Sequence, residues 1–148
     1  MTELQELYQQ VILDHNKSPR NFGELPDGRA VEGHNPLCGD NVTVFVKVVD
    51  GIIEDVKFKG AGCAISKASA SIMTTLVKGK SVVEARELFA RFHELVTTDG
   101  DIDPLILGKM AVFAGVRDYP SRVKCASLAW HTLKNALEDR TDTVVTTE

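Results

Sequence analysis

Three cysteines and one aspartate are the residues of this sequence best suited to metal or sulfur chemistry. Cys38 and Asp40 flank Gly39, which lets the backbone turn tightly, so both side chains can face one point from a single loop. Cys63 stands where a predicted strand gives way to a predicted helix, and Cys125 stands in the first turn or two of the last predicted helix. Three thiolates and a carboxylate make a tetrahedral ligand set for Zn²⁺, and thiolates alone suit iron–sulfur clusters.

The spacing of the cysteines by itself leaves two interpretations open. They are widely separated and form no C-x-x-C pair, and a cysteine is often just a small buried apolar side chain. Their positions favour chemistry, because all three fall in predicted loops or near the ends of elements, where sites are usually built. Cys63 would also lie near the first unpaired N–H groups of a helix, which favour a thiolate.

The clearest signal for the elements that position these residues is a β-hairpin. Alternating apolar residues predict two strands joined by the turn Asp50-Gly51, since glycine tolerates the positive φ of a type I′ turn. A further short strand is predicted over 30–35. The alternating residues are Val42, Val44, Val46 and Val48 in the first strand of the hairpin, and Ile52, Glu54, Val56 and Phe58 in the second.

Helical periodicity surrounds this hairpin on both sides in the sequence. Ser81 and Glu84 have capping-box spacing, and the helix that they open has Ala85, Leu88, Phe89 and Phe92 as its predicted core face. Helices are predicted over 2–15, from 65 to about 79, from 81, over 104–113 and from about 121.

Antiparallel strands followed by helices predict an α+β fold, with about three strands and the helices packed on one face of the sheet. We expect a single domain over residues 1–140. Residues 141–148 are polar and aperiodic, so a mobile C-terminal tail is predicted there.

Composition excludes several classes of protein. The net charge is −4, from 17 basic and 21 acidic residues with no basic run, so we expect no nucleic-acid partner. No apolar run is long enough to span a membrane, and the first residues lack the pattern of a signal peptide. An odd number of separated cysteines then predicts reduced thiols in the cytoplasm rather than disulfides.

The ordered motifs of the chain resemble the IscU/SufU family of iron–sulfur cluster assembly proteins, also known as NifU N-terminal-like, from Leu4 to about Leu137. That resemblance implies an α+β fold of the SufE/NifU-like kind, with three cysteines and an aspartate gathered at one exposed end. It also implies a cysteine desulfurase as the partner that supplies persulfide sulfur. The motifs are Val11-Ile12-Leu13-Asp14-His15, Pro19-Arg20-Asn21-Phe22-Gly23, Asn35-Pro36-Leu37-Cys38-Gly39-Asp40, Phe58-Lys59-Gly60-Ala61-Gly62-Cys63-Ala64-Ile65-Ser66 and Arg122-Val123-Lys124-Cys125.

Two departures from the IscU pattern resemble the SufU branch. Lys124 stands where the scaffold branch usually carries histidine, and there is extra sequence at about 101–119, whose role the resemblance does not define. The SufU branch implies Zn²⁺ held by four side chains, and Cys38 is the expected sulfur acceptor because its loop should be the most movable ligand arm. The implied ligands are Cys38, Asp40, Cys63 and Cys125.

Two other functions compete with sulfur acceptance. An IscU-type scaffold would carry a transient iron–sulfur cluster, bind iron and meet other cluster-assembly proteins. A non-catalytic adaptor would use zinc only to lock its fold. A cysteine hydrolase needs a positioned imidazole, but His34 has no evident orienting partner and His131 is turned away from the face of Cys125 on its predicted helix. All four histidines are therefore interpreted as surface or capping residues. They are His15, His34, His93 and His131.

Overall fold

The computed structural model describes residues 3–36, 39–97, 110–113, 116, 120–138 and 145–146. These residues form an α+β fold, as predicted, with four helices and a sheet in the order β3-β2-β1-β4. The helices are α1 (Glu3–Lys17), α2 (Ala64–Val77), α3 (Val82–Thr97) and α4 (Pro120–Leu137). The strands are β1 (Arg29–Asn35), β2 (Asp40–Val49), β3 (Ile52–Ala61) and β4 (Val145–Thr146).

The hairpin of β2 and β3 turns at Asp50 and Gly51, as predicted, with φ of 53° and 76°. A type I′ turn needs positive φ at both central residues, and this is the pair that supplies it. The predicted alternation along β3 is wrong at its start, because Ile53 is buried while Ile52 is 43% exposed. The register shifts after Lys47, so a bulge in β3 turns Ile53 rather than Ile52 toward the core.

Helices α2 and α4 pack on the apolar face of the sheet, α1 packs on α2, and α3 packs on α4. The core therefore lies between the sheet and this helical layer, and Phe92 and Trp130 stack there with ring centroids 4.7 Å apart. The predicted core face of α3 is confirmed, and the predicted capping box at Ser81 and Glu84 forms both of its hydrogen bonds. None of the described helices combines the length and apolar character needed to cross a membrane.

Strand β1 lies unusually close to α4, and a glycine permits this approach. A Cβ atom built on Gly33 would lie 2.1 Å from Oγ1 of Thr132 and 3.1 Å from Leu128. Any larger residue at position 33 would push the helix and the strand apart. The close contact matters for the candidate site, because on α4 Cys125 lies about one turn before Leu128 and about two turns before Thr132.

The end of α1 is tied to α2 by buried polar groups. His15 is 5% exposed and shares a 2.7 Å hydrogen bond with the hydroxyl of Ser71, which also accepts the backbone N–H of Arg20. The interpretation of His15 as a surface or capping residue is therefore wrong. His34 and His93 are exposed, and His131 is half-buried.

Two predictions for the second half of the chain meet the structure only in part. Residues 110–113 lie in a helical turn, and the rest of the helix predicted over 104–113 lies outside the described residues. Val145 and Thr146 pair in parallel with Gly33 and His34 of β1, and the other residues of the predicted mobile tail lie outside the described residues. A two-residue strand carries no periodicity, but the free backbone groups of an edge strand can pair with any extended segment.

Candidate metal and thiol site

Asp40 is the first residue of β2, and its side chain is fully buried beside the start of α2. Its Oδ1 accepts the backbone N–H of Cys63 at 2.8 Å, and its Oδ2 lies 3.6 Å from the Cys63 sulfur. The neighbouring Gly62 makes this possible, because a Cβ atom there would lie 2.4 Å from Oδ1 of Asp40. The glycine before Cys63 is therefore required by the close approach of a carboxylate.

Cys63 caps the N-terminus of α2, in agreement with the prediction that its thiol lies near unpaired helical N–H groups. Its backbone is extended, with φ −70° and ψ 164°, and its sulfur accepts the backbone N–H of Ser66 at 3.4 Å. Cys63 is exposed, so a reactant can reach its sulfur.

Cys125 approaches the same point from α4, in the second turn of that helix. It is 3% exposed, and Asn35 lies beside it with Nδ2 3.7 Å from its sulfur. Asn35 pairs with Asp40 at the end of β1 and the start of β2, next to the loop that connects these strands. This pair contacts both described cysteines, Asn35 through Cys125 and Asp40 through Cys63. The connection between the paired residues runs through Pro36, Leu37, Cys38 and Gly39.

The structure thus brings together three of the four sequence-predicted ligands. One ligand atom from each of Asp40, Cys63 and Cys125 lies within 4.8 Å of the others. Cys38, the fourth predicted ligand and the predicted sulfur acceptor, lies outside the described residues. Gly39, which follows it, has φ +70°, a conformation that glycine adopts without strain.

The chemistry of these donors fits a zinc ion. Two sulfurs and a carboxylate oxygen are the ligand types of structural and catalytic zinc sites. Bond lengths of about 2.3 Å for sulfur and 2.0 Å for oxygen put neighbouring tetrahedral ligands roughly 3.5 Å apart. The observed 3.6 Å between the Cys63 sulfur and Oδ2 of Asp40 agrees with that separation.

None of the described histidines belongs to the cluster of Asp40, Cys63 and Cys125. His93 and His131 belong to an aromatic group with Phe89 between α3 and α4, and burial lowers the pKa of His131, with the charges of His93 and Lys134 acting in the same direction. A cavity of about 390 Å³ opens there, and none of the three clustered ligands lines it. The hydrolase interpretation therefore gains no support from the described residues, because no imidazole joins the clustered thiols.

Asn35 is the site residue that sequence reasoning missed. It belongs to one of the motifs of the sequence, but the sequence alone predicts no contact between it and a cysteine. A signal existed, since the period of β1 puts Asn35 on the same face as Val31 and Gly33, and both of these are buried. A polar residue on an otherwise apolar strand face is worth examining for a partner.

A family model described as the NifU-like N-terminal domain matches residues 7–126. The zinc-dependent sulfurtransferase SufU of Bacillus subtilis is 42% identical over 90% of this chain and 91% of that protein. The iron–sulfur cluster assembly scaffold protein IscU of Streptococcus pyogenes is also 42% identical, over 93% of this chain and 87% of that protein.

A solved structure has the same fold. The crystal structure described as a putative iron–sulfur cluster assembly scaffold protein for the SUF system, from Fervidobacterium islandicum, superposes with a TM-score of 0.82 at 36% identity. The match covers 90% of this chain and 98% of that chain. Together with the matches in sequence, this agreement establishes the family and the fold.

Proposed function

The chain belongs to the family of NifU-like N-terminal domains, and from that premise we propose that it accepts persulfide sulfur from a cysteine desulfurase for iron–sulfur cluster assembly. The observation that carries the proposal is the convergence of Asp40, Cys63 and Cys125, whose ligand atoms lie within 4.8 Å of one another. This cluster lies where β1 and β2 meet the loop that connects them, and Cys38 belongs to that loop. The similarity to a zinc-dependent sulfurtransferase over nine-tenths of both chains supports zinc as the metal. The cytoplasmic location stays a prediction.

We assign four zinc ligands: Cys38, Asp40, Cys63 and Cys125. When bound, zinc keeps the thiols deprotonated and therefore nucleophilic at neutral pH. The protein's own groups prepare the site for this, because Ser66 and Asn35 each direct an N–H toward one of the described sulfurs. The exposed side of Cys63 leaves an approach for a partner protein.

Cys38 is the proposed acceptor. Its thiolate attacks the outer sulfur of a persulfide on the desulfurase, the sulfur–sulfur bond of that persulfide breaks, and the desulfurase cysteine leaves as a thiolate. The product is a persulfide on Cys38, and no oxidant or reductant is consumed. We assign the role to Cys38 because it follows Pro36 and Leu37 in the connection between two strands, whereas Cys63 and Cys125 are fixed by helices.

A cluster scaffold is the second candidate, and one observation favours it. The scaffold protein of Streptococcus pyogenes is as similar to this chain as the sulfurtransferase is. The position before Cys125 favours the acceptor, since Lys124 places a cation there rather than an additional histidine ligand. A purely structural role for zinc is disfavoured by the extensive apolar core, which contains none of the described residues assigned to zinc.

The proposal is tested by adding the protein to a cysteine desulfurase under anaerobic conditions and measuring cysteine turnover. The wild-type protein should stimulate turnover, and Cys38→Ala should abolish the stimulation while leaving the domain folded. Cys63→Ala and Cys125→Ala should lose stimulation together with most of their bound zinc. A scaffold would instead form a stable chromophore with iron and sulfide and pass it to an apo-ferredoxin, and that result would overturn the assignment as an acceptor.

A further inference from the structure

Asn35 is a fully buried polar side chain in contact with a cysteine that we assign to the metal. Its Nδ2 lies 3.7 Å from the sulfur of Cys125, which is itself 3% exposed. We propose that Asn35 is a positioning residue that donates an amide N–H to the Cys125 thiolate and fixes it as a metal ligand. This inference rests on the proposed function, because it assigns Cys125 to the zinc site.

The position of Asn35 is set by the backbone. Along β1, Val31, Gly33 and Asn35 share the buried face, which lies against α4. Gly33 lets that helix approach so closely that a Cβ atom would overlap Thr132. The strand therefore presents its last inward-facing side chain at the level of Cys125.

The chemistry of the contact defines which end of the amide faces the sulfur. A thiolate has no proton and can only accept hydrogen bonds, whereas an amide NH₂ group can only donate them. A buried charge is costly unless hydrogen bonds compensate it, and Cys125 has little access to water. The NH₂ group of Asn35 is placed to supply such a bond when Cys125 is deprotonated on a metal.

The second described cysteine has a matching donor of a different kind. The sulfur of Cys63 accepts a backbone N–H from Ser66 at the start of α2. Removing that backbone donor would take a proline, which also constrains φ, whereas the donor to Cys125 belongs to a side chain and can be replaced without changing the backbone. Asn35 thus allows the effect of one N–H group on one thiolate to be measured directly.

The test compares Asn35→Asp and Asn35→Leu with Asn41→Asp. The aspartate at position 35 keeps the shape and one oxygen of the native side chain, and the leucine removes all polarity at similar size. Asn41 lies next to Asp40 but is exposed on β2, so Asn41→Asp controls for an added negative charge near the site. The readouts are the zinc Kd from competition with a chelator and the absorption spectrum with Co²⁺ in place of zinc.

Both variants at position 35 should bind zinc about 10- to 100-fold more weakly than the wild type. Their sulfur-to-cobalt charge-transfer band should move to longer wavelength, because removing the N–H raises the energy of the sulfur electrons. Asn41→Asp should keep the wild-type band and a Kd within about twofold. A purely structural role for Asn35 would lower the stability of the metal-free protein without moving the band.

The proposal for Asn35 is overturned if both variants fold, by circular dichroism, and retain the wild-type band and a zinc Kd within about twofold. That result would leave the proposed metal site standing, since the wild-type protein would still bind zinc and Co²⁺. If the wild-type protein binds neither zinc nor Co²⁺ through sulfur, the metal site and the role of Asn35 both fail. The two failures are therefore distinguished by the wild-type spectrum.

Discussion

The carboxylate of Asp40 contacts both the backbone and the side chain of Cys63. One oxygen accepts the Cys63 N–H at 2.8 Å, and the other lies 3.6 Å from its sulfur. The same side chain therefore accepts a hydrogen bond that orders the start of α2 and, in the proposed zinc site, also supplies a charged ligand. Substitutions at Asp40 can distinguish these roles.

Asp40→Asn keeps an oxygen for the Cys63 N–H but loses the charge, whereas Asp40→Ala loses both. We expect the metal-free Asp40→Ala protein to be destabilised by about 1–3 kcal/mol, because it leaves a partly buried N–H without an acceptor. The free energy of unfolding of metal-free Asp40→Asn, measured in urea, should stay close to that of the wild type. Both should bind zinc more weakly, yet more tightly than Cys63→Ala, since water replaces a carboxylate more easily than a thiolate. Equal loss of stability in the two Asp40 variants would contradict the assigned hydrogen bond.

The contact between Gly33 and Thr132 predicts a specific double-mutant result. Gly33→Ala should destabilise the protein by about 1–3 kcal/mol, because its new Cβ would lie 2.1 Å from Oγ1 of Thr132. Adding Thr132→Ala should recover part of this loss. Thr132→Ser is the matched control, since it keeps the hydroxyl that donates to the carbonyl of Leu128. The measurement is the free energy of unfolding of all single and double variants.

An interaction free energy of about 1 kcal/mol between Gly33→Ala and Thr132→Ala is expected. The interaction free energy between Gly33→Ala and Thr132→Ser should be much smaller. Additive effects in both pairs would mean that the hydroxyl is not what restricts position 33.

The lowered pKa of His131 predicts a dependence of stability on pH. The folded state resists protonation of this side chain because it is half-buried, and the charges of His93 and Lys134 act in the same direction. Between the folded pKa and the ordinary value of about 6.5, the unfolded chain binds more protons, so stability falls as the pH drops through this window and levels off below it. His131→Gln should remove this contribution.

The comparison requires unfolding curves of the wild type, His131→Gln and the exposed control His34→Gln from pH 8 to pH 5. The stability of His131→Gln relative to the wild type should rise as the pH falls. His34→Gln should follow the wild type. A constant difference between His131→Gln and the wild type across this range would contradict the burial of a neutral imidazole.

Elements set by local chemistry were predictable from the sequence. The turn at Asp50 and Gly51 and the capping box at Ser81 and Glu84 each depend on residues a few positions apart, and both are confirmed. The bulge that turns Ile53 inward was not predictable, because the alternating pattern fits two registers and packing decides between them.

Contacts between distant segments also escaped sequence reasoning. The sequence predicts a surface or capping role for His15, but this residue lies buried against Ser71, which is 56 positions away in the chain. The contact of Asn35 with Cys125 spans 90 positions and depends on how closely β1 approaches α4. Residue types predicted the candidate ligands Asp40, Cys63 and Cys125, whereas the side chains that orient them required the fold.

Mass spectrometry after incubation with an active cysteine desulfurase and cysteine tests the central claim most directly. The account predicts one added sulfur atom on the peptide that contains Cys38, and no added sulfur on that peptide in Cys38→Ala. The zinc content of the wild-type protein is measured in the same sample, so that an empty site is not mistaken for an inactive thiol. An unmodified Cys38 peptide in zinc-loaded protein, with a desulfurase that is turning over cysteine, would contradict the role of this chain as a sulfur acceptor.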